Sequence, residues 1–257
     1  MVRSYPGMCY PKDQAEREMP TEPDHFPTSE AVQHTFLFAD LAGFTAMTEA
    51  HGDEVAADAV SDFCRGVREL LPEFEAEQIK SIGDAVMVRV PEASAAIELA
   101  VRLIGEVGTR HGSLAVRVGA HTGSAVQRDG DWFGATVNLA ARVAAAAERG
   151  EVLMTEVTRS AAAGALSEYE IETRPSQTFK NVREQVTVYA LTLASQPDVA
   201  DLPTDPVCRM AVDPNESHEQ RPHDGLDIHF CSAECAAVFA RHPERYAVDQ
   251  AAADYRG

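Results

Sequence analysis

An α+β fold is predicted, with a ferredoxin-like βαββαβ core and a small Cys/His-rich C-terminal module, and three observations carry it. Alternating apolar runs and helical periodicities follow one another in the order strand, helix, strand, strand, helix, strand, the split βαβ arrangement. Residues 194–206 (ASQPDVADLPTDP) have little periodicity and read as a linker. Beyond them, three of the chain's five cysteines fall within one short segment.

The elements follow in order. His34 to Asp40 reads as a strand, with Phe36 and Phe38 alternating with Thr35, Leu37 and Ala39. Ala56, Val60, Phe63, Cys64, Val67 and Leu71 recur at three- and four-residue steps, which predicts a long helix. Two strands follow, Glu77–Ile82 and Asp84–Val90, with Gly83 as the tight-turn residue between them. A second helix over about 92–107 places Ile97, Ala100, Val101 and Ile104 on one face, and Ala115–Thr122 reads as the next strand. After this core come an Ala-rich helix (about 135–148), a short strand at Val152–Thr155 and a closing strand at Val186–Leu191. The expected domains are a disordered N-terminal tail (1–32), the αβ domain (33–193), a linker (194–203), the Cys/His-rich module (204–247) and a C-terminal tail (248–257).

Composition narrows the function. The 257 residues carry 22 Lys+Arg against 41 Asp+Glu, a formal net charge of -19, which argues against nucleic acid or an anionic membrane surface as a partner. No apolar run approaches the roughly 20 residues that span a bilayer. Residues 1–30 contain Pro6, Pro11, Pro20, Pro23 and Pro27 among charges and no apolar stretch that reads as an export signal. The expected location is therefore cytoplasmic, where thiols stay reduced and the cysteines are free or bind metal.

Topology brings two carboxylates together. In a ferredoxin-like sheet the first and third strands are antiparallel neighbours, so Asp40, ending the first, and Asp84, opening the third, share one edge. Asp40 is followed by Leu-Ala-Gly-Phe-Thr opening a helix, whose free N–H groups can cradle phosphates. Carboxylates beside such a helix start suit a divalent cation and a nucleoside triphosphate. Singly, each has a plainer reading: an Asp before a helix serves as an N-cap, and an Asp after Gly as a turn residue.

Phe38-Ala-Asp40-Leu-Ala-Gly-Phe-Thr45, Lys80-Ser-Ile-Gly-Asp84-Ala-Val-Met87 and Asp131-Trp-Phe-Gly-Ala-Thr-Val-Asn138-Leu-Ala-Ala-Arg142 together resemble the signature blocks of class III nucleotidyl cyclases. The resemblance implies that Asp40 and Asp84, with the backbone carbonyl of Leu41, bind two Mg²⁺ or Mn²⁺ ions per active site. The free amides at Gly43, Phe44 and Thr45 are the expected phosphate cradle, and the resemblance implies that Lys180 contacts the terminal phosphates. Asn138 would orient the ribose and Arg142 would stabilise charge on the α-phosphate; four residues apart, they share a helix face. Lys80 and Asp131 would read adenine, since guanylyl cyclases typically place Glu and Cys there, so ATP is the expected substrate. Asp129 lies close enough to leave the Asp131 assignment open. The family's active site lies between two catalytic domains, so a head-to-tail homodimer is implied. Asp40 and Asp84 would come from one subunit and Lys80, Asp131, Asn138 and Arg142 from the other. A non-catalytic, metal-sensing scaffold and a guanylyl cyclase remain as alternatives.

In the last segment Cys208, Cys231 and Cys235 are spaced C-x22-C-x3-C, with His218, His223, His229 and His242 nearby. Thiolates beside imidazoles favour Zn²⁺ or another soft transition metal, and a segment this short gains stability from one. Asp205-Pro-Val-Cys208-Arg-Met210 and Phe230-Cys231-Ser-Ala-Glu-Cys235 resemble the YHS domain, close to TRASH-type metal-binding modules. Arg209 stands where a glycine is usual, which puts the first turn in question. The fourth ligand is open, and regulation of the cyclase by this metal is an expectation from the two modules sharing a chain.

Overall fold

A computed structural model of the chain describes residues 32–109, 112–192 and 202–246. The expected terminal tails and most of the linker lie outside these residues. At the centre is β1 (His34–Leu41), paired antiparallel on one side with β3 (Ala85–Val90) and on the other with β4 (Val116–Gly123). Strand β2 (Glu77–Ile82) forms a hairpin with β3. Beyond β4 lie β7 (Glu151–Thr155), β9 (Val188–Thr192) and β8 (Ile171–Thr173), giving the order β2-β3-β1-β4-β7-β9-β8. The first four strands have the ferredoxin-like order, with β1 and β3 antiparallel neighbours as the topology requires.

Both faces of β1 are covered, which explains its unbroken apolar run. Leu37, Ala39 and Leu41 pack against a helical layer through Phe63, Val67 and Leu70 of α2 (Asp53–Leu70) and Ile97, Leu99 and Ala100 of α3 (Ala93–Arg102). Phe36 and Phe38, with Met87, face Val137, Ala140 and Ala144 of α4 (Ala135–Ala146). Helix α4 lies so close to β4 that a Cβ on Gly119 would stand 2.0 Å from the Ala144 nitrogen. Only glycine allows that crossing.

The long helix is interrupted at its start. A separate helix α1 (Phe44–His51) precedes α2, and Gly52 between them has φ +85°, a conformation that a β-carbon disfavours. The helix expected over about 92–107 is α3, finished by a looser π turn at Leu103–Val107. A hairpin that the strand periodicity does not reveal, β5 (Val126–Arg128) and β6 (Asp131–Phe133), precedes α4. Its turn residues Asp129 and Gly130 have φ of +52° and +78°; Asp-Gly is the sequence signal that announces such a turn. Helix α5 (Glu156–Ala161) and strand β8 are too short for periodicity to single out.

The C-terminal module is a hairpin, β10 (Glu219–His223) and β11 (Leu226–Phe230), followed by α6 (Ala233–Arg241). Ser232 caps α6, its Oγ accepting the Cys235 N–H at 3.2 Å. Ile228, Phe230, Ala236 and Phe239 form a small core. Arg209 takes φ +69°, so the first turn keeps the left-handed geometry that glycine supplies more easily. The module is docked on the αβ domain: the Ala211 N–H donates to the Ser113 carbonyl at 2.8 Å, and the Gly112 N–H to the Ala211 carbonyl at 2.9 Å.

Candidate active site

The β1–β3 register sets Asp40 opposite Ala85, so the Gly83-Asp84 turn carries Asp84 to within hydrogen-bonding reach of Asp40. Burial, then the charge of Asp40, pushes the Asp84 carboxyl above the usual carboxylate range. Asp40 has a partner that the sequence reading does not include. Arg117, its cross-strand neighbour on β4, donates through Nε to Asp40 Oδ2 at 2.9 Å and through Nη2 to the same oxygen. Arg117 sits between the buried Val116 and Val118, so it points to the opposite face of the sheet, as Asp40 does. That alternation, combined with the β1–β4 pairing, is the signal by which it could have been found.

Leu41 ends β1 with its side chain in the core, which leaves only its backbone for the site. Gly43, at φ +93°, turns the chain into α1, and no side chain caps the helix start. Gly43 and Thr45 are exposed and Phe44 is half-buried, and the first amides of a helix have no partner within it. Hard carboxylate oxygens that repel one another, next to uncapped amides, fit Mg²⁺ or Mn²⁺ with a phosphate.

Lys80 on β2 and Asp131 on β6 meet within one chain: Lys80 Nζ donates to Asp131 Oδ2 at 2.6 Å, and Asp131 Oδ1 accepts the Trp132 N–H at 2.8 Å. The lysine, then that N–H, holds the Asp131 carboxyl below its ordinary range. The Lys80 ammonium also lies 5.8 Å from the centre of the Phe133 ring. Asn138 and Arg142 stand one turn apart on α4, where Arg142 Nη1 donates to the Asn138 carbonyl at 3.1 Å and the Asn138 side chain is exposed. Among the described residues, neither is hydrogen-bonded to the aspartates. Lys180 is exposed in the turn after Phe179, with no bond to these groups among the described residues.

In the C-terminal module the three cysteines converge. Cys208 Sγ lies 3.4 Å from Cys231 Sγ, which lies 3.7 Å from Cys235 Sγ. Hydrogen bonds to Cys231 and Cys235, then burial, push the Cys208 thiol up, while those from Cys208 and Cys231 pull Cys235 far below the usual thiol range. Metal binding draws on the thiolate form of such sulfurs. Asp205, fully buried, accepts the N–H groups of Val207 at 2.8 Å and Cys231 at 2.9 Å, tying together the two loops that carry the sulfurs. The module's own histidines stay out of the group that could hold an ion. The imidazole that enters it is His51, at the end of α1.

Residues 27–193 match the Adenylate and Guanylate cyclase catalytic domain, and residues 204–250 match the YHS domain. The chain belongs to the adenylate and guanylate cyclase catalytic domain family and carries a YHS domain after it. It is 36% identical over 138 residues to a pH-sensitive adenylate cyclase of Mycobacterium tuberculosis, covering 52% of this chain and 34% of the relative. It is 37% identical over 117 residues to an adenylate cyclase of Streptomyces griseus, covering 46% of this chain and 29% of the relative. The matched segments thus span about a third of those relatives' length. A Trypanosoma brucei adenylate cyclase solved in its monomeric state superposes with a TM-score of 0.55 at 26% identity, over 65% of this chain and 93% of that one.

Proposed function

We propose that the chain is an adenylate cyclase, converting ATP to 3′,5′-cyclic AMP and pyrophosphate at the interface of a head-to-tail homodimer. The observation that carries the reading is the convergence of Asp40 and Asp84 beside the uncapped start of α1. The names of the bacterial relatives support adenine over guanine, as does a Lys–Asp pair in place of Glu and Cys.

Asp40, Asp84 and the Leu41 carbonyl would hold two Mg²⁺ or Mn²⁺ ions, which when bound supply activation of the ribose 3′-hydroxyl and charge for the triphosphate. The α1 amides at Gly43, Phe44 and Thr45, with Lys180, would grip the phosphates. Lys80 would donate to adenine and Asp131 accept its amino group, each exchanging its present partner for the base. Asn138 would orient the ribose, and the Arg142 fork would spread charge from the α-phosphate as the bond from the 3′-oxygen to α-phosphorus forms and the bond to the leaving pyrophosphate breaks. The 3′-hydroxyl proton would pass to solvent water as that bond forms. Arg117 is the counter-ion paired with Asp40 before substrate arrives.

Incubation with ATP or GTP plus Mn²⁺ or Mg²⁺, with cyclic product measured, tests the reading. Cyclic AMP is expected; cyclic GMP alone, or no product from an intact dimer, overturns it. A mixture of Asp84→Ala and Asn138→Ala chains should regain activity that neither has alone. Failure of mixed dimers to do so would exclude shared sites.

A further inference from the structure

We propose that His51, a residue of the catalytic domain, is the fourth ligand of the C-terminal metal site, so that the ion clasps the YHS domain to helix α1. His51 Nε2 lies 3.5 Å from Cys231 Sγ and 3.7 Å from Cys235 Sγ, and all four ligand atoms fall within 4.8 Å of one another. A tetrahedral zinc ion, with Zn–S near 2.3 Å and Zn–N near 2.0 Å, spaces its ligand atoms about 3.8 Å apart for sulfur pairs and about 3.5 Å for sulfur and nitrogen. The observed separations of 3.4–3.7 Å already approach that cage.

Among the described residues, the candidates nearer in sequence lie outside the group that could hold an ion. His223 pairs with Asp224 at 3.5 Å and sets its ring edge-on to Phe239. His242 pairs with Glu244 at 3.4 Å. His229, buried with its Nδ1 lacking a hydrogen-bond partner among the described residues, is outside the four-residue group, so His229→Ala is the control that separates the two imidazoles. His51 is delivered by the docking itself: Ala50 packs on the module's core, and the strand-like contact of Ala211 with residues 112 and 113 holds the module against the catalytic domain.

The clasp sits at one end of α1, and Gly43 sits at the other. Arg209 follows Cys208, and its Cβ lies where a Cβ on Gly43 would approach to 2.6 Å, so the module touches both ends of this eight-residue helix. On the adenylate cyclase reading, metal occupancy would therefore set the order of the helix whose first amides hold the phosphates. The clasp itself does not depend on that reading.

Titration of the full, reduced chain with Co²⁺, followed by thiolate-to-metal absorption, tests the assignment without any nucleotide. One sulfur-bound Co²⁺ per chain with tetrahedral ligand-field bands is expected. His51→Ala should weaken binding by more than the roughly 10–100-fold that loss of an outer-shell partner costs. His51→Cys should restore affinity with a stronger thiolate band, and His229→Ala should change neither. Zn²⁺ should slow hydrogen exchange across residues 44–51 in the wild-type chain and not in His51→Ala. Wild-type affinity and spectrum in His51→Ala would overturn the proposal. If that variant does not fold, a folded His51→Cys chain whose Co²⁺ spectrum is unchanged would overturn it equally.

Discussion

At Asp84 two costs of the site meet in one side chain. Burial and the neighbouring Asp40 raise its proton affinity, so between the ordinary carboxylate pKa and the raised one the folded chain binds more protons than the unfolded chain. The sign follows: the metal-free protein loses stability as pH rises through that window. Thermal unfolding across it should show Tm falling with pH, and Asp84→Asn should flatten the slope. Mn²⁺ at neutral pH should raise Tm in the wild type and not in Asp84→Asn. Arg117 opposes the shift, so Arg117→Gln should move the window to higher pH. Asp40 and Asp84 were legible as a pair because strand ends and antiparallel pairing follow from local pattern. Arg117 was not, since one cation in an apolar strand does not say which carboxylate it will face.

The elements hold these residues in place through close packing more than through polar contacts. Helix α4, which presents Asn138 and Arg142, rests on β4 at Gly119, where an added methyl would stand 2.0 Å and 2.3 Å from Ala144 backbone atoms. Gly119→Ala should push the helix away and cost at least the ~1–3 kcal/mol typical of overpacking. Urea denaturation measures that cost, and cyclic AMP formation should fall further than stability because the shift moves both α4 side chains. Helix α1 was legible only as a helix start after Asp40. Its separation from α2 depends on the conformation of Gly52, to which the apolar periodicity of α2 is blind.

For the whole molecule, the proposed homodimer can be tested at the exposed apolar residues of the β5–β6 hairpin. Val126 and Phe133 are cross-strand partners on the β5–β6 hairpin, exposed at 56% and 51%, and Phe133 adjoins Lys80. An interface there would bring the Lys80–Asp131 pair to the seam and bury two side chains that water now surrounds. Phe133→Ser should shift the protein toward monomer in light scattering and lower activity in proportion. A variant that remains fully dimeric would place the interface elsewhere.

From the sequence alone came the α+β class, the central strand pairing, the meeting of Asp40 with Asp84 and the three sulfurs, since alternation, helical period and short spacing are local properties of a chain. Folding alone decided that Arg117 faces Asp40, that Lys80 reaches Asp131 across 51 positions and that His51 joins Cys231 across 180. A histidine at a helix end ahead of a glycine is already accounted for by the helix dipole and the turn. Its role as a ligand arises only when a separate module docks and carries its sulfurs to it.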